Sequence, residues 1–395
     1  MTNYDFDTVI ERRGTHCAKH DYLDDDVLAM WVADMDFPSP EPVIEALHKR
    51  INHRVFGYSM DLPQLKTTIQ QNLSEQYDWE VKPEEIVFLP GVVAAFKAVI
   101  RAFGDPGDNV LMQLPVYPPF LSAPAPAGQT VNNSELIRIQ EGQRIRYEID
   151  FDDFEAKIND KTKTFLLCSP HNPVGRVWTK EELTRMAEIC VKHDVLICSD
   201  EIHCDLVFSE KTHIPLAALS PEIAQQTITI MAPSKTYNIP SMGFSFAVIQ
   251  NEELRKKFME KGAQVLAHVN VLGMTAALAA YGEGRPWLDA VLAYMQENRD
   301  YTTRFIEEHV PGVSITHPEG TYLSWLDCRE YVPASNGDGT QWIDPFFMKK
   351  ARVALNAGSM FGQSGEGFVR LNFGCPRVIL TEALERIKTA LEQAK

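Results

Sequence analysis

Short apolar runs alternate with helical stretches through the middle of this chain, and that alternation restricts the fold more than any other feature. Residues 86–89 form an apolar run, followed by Gly91 and a helical stretch over 93–103; the turn Asp105-Pro106-Gly107-Asp108 then leads into the apolar run 110–112. Strand, helix, turn and strand in that order make a βαβ unit. A second unit runs from a strand at 164–168 through a helix at 180–193 to a strand at 195–198, with Leu183, Met186, Ala187 and Cys190 on one helix face. The run 228–231 is a further short strand, ending at Ser234-Lys235. Such a pattern predicts an α/β fold with a mostly parallel sheet covered on both faces. Sheets of this kind bind ligands beyond the carboxyl ends of their strands. The loops 91–93, 169–175, 200–203 and 233–238 would converge there.

Around Gly282-Glu283-Gly284-Arg285-Pro286 the pattern changes to a long helix at 287–309, mixed strands and a final helix at 380–394. This divides the chain into an arm (1–45) that joins a smaller C-terminal domain (285–395), and a large domain (46–284). A Pro-rich segment, 115–126, breaks regular structure but contains Tyr117. The most apolar window, 265–281, is interrupted by His268, Asn270, Gly273 and Thr275, and reads as a buried helix rather than a membrane span. The first residues lack the basic-then-apolar order of an export signal, so a cytoplasmic protein is expected. With 38 basic and 54 acidic residues the formal charge is −16, and no Lys/Arg run offsets it; neither nucleic acid nor an anionic membrane is an expected partner. Seven scattered cysteines without a CxxC pair indicate reduced thiols rather than a disulfide framework or a zinc site. His16 and His20 have helical ligand spacing but no third ligand accompanies them, so no metal is expected.

The chemistry centres on Lys235, just after an apolar strand in Ala232-Pro233-Ser234-Lys235-Thr236-Tyr237-Asn238. Desolvation at a strand end would lower the pKa of its amine and make it able to form a Schiff base. A lone lysine is most often a solvated surface charge, but two neighbouring motifs change the weighting. Ser169-Pro170-His171-Asn172-Pro173-Val174-Gly175 is a polar loop after a strand, with Asn172 as a donor to a ligand; Ser199-Asp200-Glu201-Ile202-His203 sets a carboxylate at another strand end, poised against a cationic ring nitrogen.

Together with Arg370 in Val369-Arg370-Leu371-Asn372-Phe373, these motifs resemble the fold-type-I, class I/II enzymes that use pyridoxal 5'-phosphate (PLP). The segments Trp31-Val32-Ala33-Asp34-Met35-Asp36-Phe37-Pro38, Phe56-Gly57-Tyr58 and Pro115-Val116-Tyr117-Pro118-Pro119-Phe120 are similar to the cystathionine β-lyase branch, the MalY/PatB-type C–S lyases. The resemblance runs nearly end to end. It implies a large domain with a mostly parallel seven-stranded sheet between helices, plus a smaller α+β domain. It also implies roles residue by residue. Lys235 would hold PLP covalently, Asp200 would keep the pyridine nitrogen protonated, and Tyr117 would stack on the ring and count with Lys235 as catalytic. Asn172 would bond the phenolic oxygen, with His203 assisting where many related aminotransferases have a tyrosine. Gly91, Val92 and Val93 would bind the phosphate at a helix N-terminus, with Ser234 adding a hydroxyl. Tyr58 would reach that phosphate from the partner in a homodimer with shared sites, and Arg370 would bind the substrate carboxylate through two parallel hydrogen bonds.

One departure concerns the phosphate: many class I aminotransferases place an arginine eight residues after the lysine, where this chain has Gly243, preceded by Pro240-Ser241-Met242. The implied reaction is α,β-elimination on cystathionine, cysteine or another S-linked cysteine conjugate. An aminotransferase or a replacement enzyme on the same fold stays open, because the cofactor residues serve all three. A purely regulatory binding protein ranks lower, since Lys235 and Asp200 are both present.

Overall fold

The computed structural model describes residues 4–331 and 342–394. Its central sheet has seven strands: β1 (Ile86–Leu89), β2 (Asn109–Leu114), β3 (Thr130–Glu135), β4 (Thr162–Cys168), β5 (Leu196–Asp200), β6 (Thr227–Met231) and β7 (Ser245–Val248), in the spatial order β1-β7-β6-β5-β4-β2-β3. Pairs within β6-β5-β4-β2-β3 are parallel, and β7 runs antiparallel to both β1 and β6. Every residue of β2, β5 and β6 is buried, as a parallel strand covered on both faces requires. The five apolar runs read from the sequence fall in β1, β2, β4, β5 and β6. The run 86–89 is β1 as read; β2, β4 and β6 start earlier, at Asn109, Thr162 and Thr227, and β5 runs on to Asp200. Strands β3 and β7 lie outside those runs.

Helix α1 (Val92–Phe103) follows β1, and α2 (Lys180–Lys192) joins β4 to β5. The start of α2 is fixed by a capping box: the Glu182 amide donates to Thr179 Oγ1 (3.2 Å) and the Thr179 amide donates to Glu182 Oε2 (2.8 Å). Its buried face contains Leu183, Met186, Ala187 and Cys190, the face its spacing predicts.

The window 265–281 corrects the sequence reading. Only α3 (Val271–Glu283) is α-helical there; a 3-10 turn, Ala263–Val265, ends at the window's first residue, and Val265, Ala267 and His268 are exposed. Asn270 is the reason, because its side chain accepts the Gly273 amide (2.7 Å) and so caps a helix that begins at Val271. Among the described residues no helix is long and apolar enough to cross a membrane.

A second sheet of six strands has the order Asn356–Ala357, Phe368–Asn372, Leu323–Asp327, Ser314–Thr316, Arg144–Glu148, Ile137–Glu141. The hairpin at 137–148 thus leaves the middle of the chain to pair with Ser314–Thr316. Helices α4 (Arg285–His309) and α5 (Arg377–Glu392) cover this sheet, contributing Val291, Met295, Leu384 and Ile387 to its core. The N-terminal arm is drawn in where Leu28–Ala29 pairs with Val353–Ala354.

Candidate active site

Strands β4, β5 and β6 deliver Cys168, Asp200 and Met231 to one edge of the sheet, and the loops that follow them meet the start of α1 in a cleft of about 540 Å³. Gly91, Val92 and Val93 line one end, Ser234 and Lys235 the floor, and Tyr117, Asn172, Asp200 and His203 the remaining walls. The convergence of loops expected from strand order is present.

At the end formed by α1, the first intrahelical bond runs from the Ala95 amide to the Gly91 carbonyl (3.0 Å), so the amides of Val92, Val93 and Ala94 precede the helical ladder. They open towards the cleft with the positive end of the helix dipole behind them. The Ser234 hydroxyl makes no hydrogen bond to the described residues, and Gly243 lines the same end with φ of +60°.

Lys235 sits in the short turn Pro233–Thr236, which Pro233 starts at the first helical position. Its Nζ donates to the Ala33 carbonyl (2.6 Å). Burial lowers its pKa from 10.5 to about 8; Asp34 and Asp200 pull the other way, and Arg370 reinforces the fall. A sizeable share of this lysine is therefore neutral amine near pH 7.5.

Asp200 is buried, with one hydrogen bond from the Ile202 amide (3.1 Å) and no ion pair among the described residues. Burial raises its pKa from 3.8 to about 7, against the effect of the Ile202 amide and Lys235. A cation brought to this carboxylate would restore its charge. Behind it, Glu201 accepts the Ser199 hydroxyl (2.8 Å), the Leu216 amide (3.1 Å) and His213 Nε2 (2.8 Å) in a fully buried cluster. His203 is held uncharged, its pKa lowered to about 3 by burial and by the Lys235 and Arg370 cations, and its buried Nδ1 has no partner.

Asn172 is oriented from behind. Its Oδ1 accepts Arg370 Nη1 (3.0 Å), which leaves the side-chain NH2 to face the cleft as a donor. The Asn172 carbonyl accepts the Tyr117 amide (3.1 Å), fixing the loop that carries the aromatic wall. Arg370 itself lies behind this wall, bonded also to the Trp31 carbonyl (3.0 Å) and Asn356 Oδ1 (2.5 Å), with its buried Nε unpartnered. Tyr58 is not brought into the cleft: it is fully exposed on a separate groove beside Val269 and Leu272. His20 and Asp36 form a contact (3.2 Å) within an ionic cluster of Arg12, Lys19 and Asp34.

These unmet groups have a common character: free amides and a hydroxyl for an anion, a buried carboxylate without a cation, and a depressed lysine between them. Residues 25–387 match the aminotransferase class I and II family. The chain belongs to that family. Within it, this chain is 39% identical to cystathionine beta-lyase PatB of Bacillus subtilis over 98% of its own length and 99% of that protein. It is 33% identical to Protein MalY of Escherichia coli, covering 99% of this chain and 100% of that one. The crystal structure of cystalysin from Treponema denticola, which contains a pyridoxal 5'-phosphate cofactor, superimposes with a TM-score of 0.93 at 34% identity, covering all of both chains. The fold is the fold-type-I architecture of this aminotransferase family, as the motifs implied.

Several groups that support the cleft and its surroundings escape sequence reading. The Ala33 carbonyl, Tyr322, whose hydroxyl donates to it (2.9 Å), and Asp205, which accepts the hydroxyls of Tyr77 (2.5 Å) and Thr236 (2.9 Å), have no local spacing signal. Only the DEIH run hinted at the cluster behind Asp200, through Glu201.

Proposed function

We propose that this chain is a PLP-dependent carbon–sulfur β-lyase that cleaves cystathionine, cysteine or a related S-conjugate by α,β-elimination. The observation that carries the reading is a half-buried lysine amine with a pKa of about 8 facing a buried, cation-free aspartate across one cleft. The near-complete match to cystathionine beta-lyase PatB selects elimination among the reactions this family performs.

The residues present fit the cofactor. The amides of Val92 and Val93, following Gly91, and the Ser234 hydroxyl would hold its phosphate. Tyr58 from a second copy of the chain would reach the same group; a fully exposed tyrosine on an apolar groove supports that homodimeric arrangement. Asp200 would face the ring nitrogen, Tyr117 the ring face, and the Asn172 amide and His203 the phenolic side. When bound, PLP supplies an electron sink that stabilises negative charge at the substrate α-carbon. Arg370 would bind the substrate carboxylate, exchanging part of its contact with Asn356 and Trp31 for the anion. The free Lys235 amine takes the proton from the α-carbon as general base. The Cβ–S bond then breaks with its electron pair on sulfur, and a thiol, pyruvate and ammonia result after hydrolysis.

The test supplies cystathionine without a keto acid. Continuous release of thiol and pyruvate supports elimination, whereas turnover that requires a keto acid assigns the chain to amino transfer. Lys235→Ala abolishes turnover, and borohydride trapping followed by peptide mapping places the label on Lys235; a label elsewhere overturns the assignment.

A further inference from the structure

The Ala33 carbonyl is shared by two donors, Lys235 Nζ at 2.6 Å and Tyr322 Oη at 2.9 Å, and neither has a second acceptor among the described residues. The oxygen is fixed in place from both sides. The Trp31 carbonyl is taken by Arg370, that of Val32 by Asn372, and that of Asp34 by both Lys19 and Asn372. Tyr322 is equally fixed: it is fully buried, and Thr321 before it adopts φ of +69°, a region that a β-branched residue rarely enters. Strained backbone of this kind persists where the surrounding structure demands it, and it gathers at functional sites.

A lysine that alternates between a covalent link and service as a base needs somewhere to stand between the two. We infer that the Ala33 carbonyl is the dock to which the Lys235 amine returns whenever it is not covalently held, and that Tyr322, by sharing that oxygen, is a positioning residue that limits how firmly the amine is kept. This rests on the role given to Lys235 above. A carbonyl oxygen has two lone pairs, and here one is spent on a neutral hydroxyl. Removing the hydroxyl leaves the oxygen to Lys235 alone. Because a hydrogen bond to the charged form favours that form, the ammonium gains and the free base loses. The other groups facing Lys235 are Asp34 from the arm, Asp200 and His203 from the loop after β5, Arg370 from the second sheet, and Tyr117; all are retained in a Tyr322→Phe variant.

Cofactor-free wild type and Tyr322→Phe are reductively methylated with formaldehyde and cyanoborohydride across a pH series, and Lys235 is followed by peptide mass spectrometry. The labelling midpoint of the variant rises by about half to one pH unit, which lowers labelling near neutral pH by about three- to tenfold. In the PLP-loaded variant kcat falls with KM nearly unchanged, and the acidic limb of the pH profile moves up by the same interval. A midpoint that stays fixed or falls overturns the inference. A crystal structure of the cofactor-free wild type tests it independently of the variant's folding: Nζ on the Ala33 oxygen supports the dock, and Nζ turned to another acceptor overturns it. Borohydride trapping in the wild type separates the two levels. Failure to label Lys235 there removes the lysine reading itself, whereas trapping at Lys235 with an unshifted Tyr322→Phe midpoint removes only the dock.

Discussion

Replacing Lys235 with methionine should make the cofactor-free protein more stable while abolishing its activity. In the folded chain burial lowers the Lys235 pKa to about 8, against 10.5 when the chain unfolds. At 1.36 kcal/mol per pH unit, that gap corresponds to about 3 kcal/mol of penalty for burying the protonated form. The side chain is only half-buried and solvent screens part of the cost, and methionine forfeits the bond to Ala33, so a net gain of about 2 kcal/mol is expected. The sign follows from proton counting. Between pH 8 and 10.5 the unfolded chain holds a proton that the folded lysine has released, so wild-type stability rises with pH across that window. Below it both forms are protonated and the penalty is complete; above it both are neutral and the penalty is gone. The advantage of Lys235→Met is therefore full at pH 6.5–7.5, shrinks above pH 8 and vanishes near 10.5. Urea unfolding of the two cofactor-free proteins, followed by tryptophan fluorescence at several pH values, measures the difference directly. A methionine variant that is less stable at neutral pH, or one whose advantage is the same at pH 7 and pH 10, refutes the argument.

His213→Phe leaves the buried Glu201 carboxylate without one of its three hydrogen-bond donors; a loss of about 1–3 kcal/mol in unfolding free energy is expected, and no measurable loss contradicts the account of that cluster. Asn172→Ala removes the cleft-facing donor and one of Arg370's three acceptors, so kcat/KM should fall about 10- to 150-fold, the equivalent of one hydrogen bond to a charged group; steady-state kinetics on cystathionine decides it. If Tyr58 serves the partner's cleft, mixing and refolding Lys235→Ala with an inactivating Tyr58 variant regenerates activity through hybrid dimers, and a mixture no more active than its components rules out shared sites. Among the cysteines, Cys17 alone is not buried, so it should react with a thiol-specific disulfide reagent in seconds to minutes while the other six react only on unfolding; titration before and after adding denaturant counts both classes.

Five strands of the central sheet were legible because each contains a contiguous apolar run, whereas the edge strand β3, Thr130-Val131-Asn132-Asn133-Ser134-Glu135 with only Ser134 buried, carries no such signal. Lys235, Asp200 and Asn172 were legible for a related reason, since Asp200 ends its strand, the other two lie four residues beyond theirs, and these strand ends share one edge. The helix expected over 265–281 failed on a local cue: Asn270 was taken as an interruption of an apolar stretch, whereas its side chain starts the helix. Ala33 and Tyr322 were invisible for a different reason. Their contacts span 202 and 289 residues of sequence, and an alanine contributes only its backbone oxygen, which no residue type encodes. Tyr58 marks the limit of a single chain, because its expected place in the site depends on a second copy. The hairpin at 137–148 was hidden likewise, since nothing within it signals a partner strand at Ser314–Thr316.

The arm that carries Ala33 is clamped by Arg370, 339 residues further along the chain from Trp31. During synthesis the ribosome releases the arm long before its clamp exists, so the oxygen that receives Lys235 stays loose until the strand Phe368–Asn372 has emerged and paired. While the nascent chain is unfinished, Lys235 is an ordinary solvated lysine, protonated at neutral pH. Its reactivity matures together with the seam that joins the two distant parts of the polypeptide.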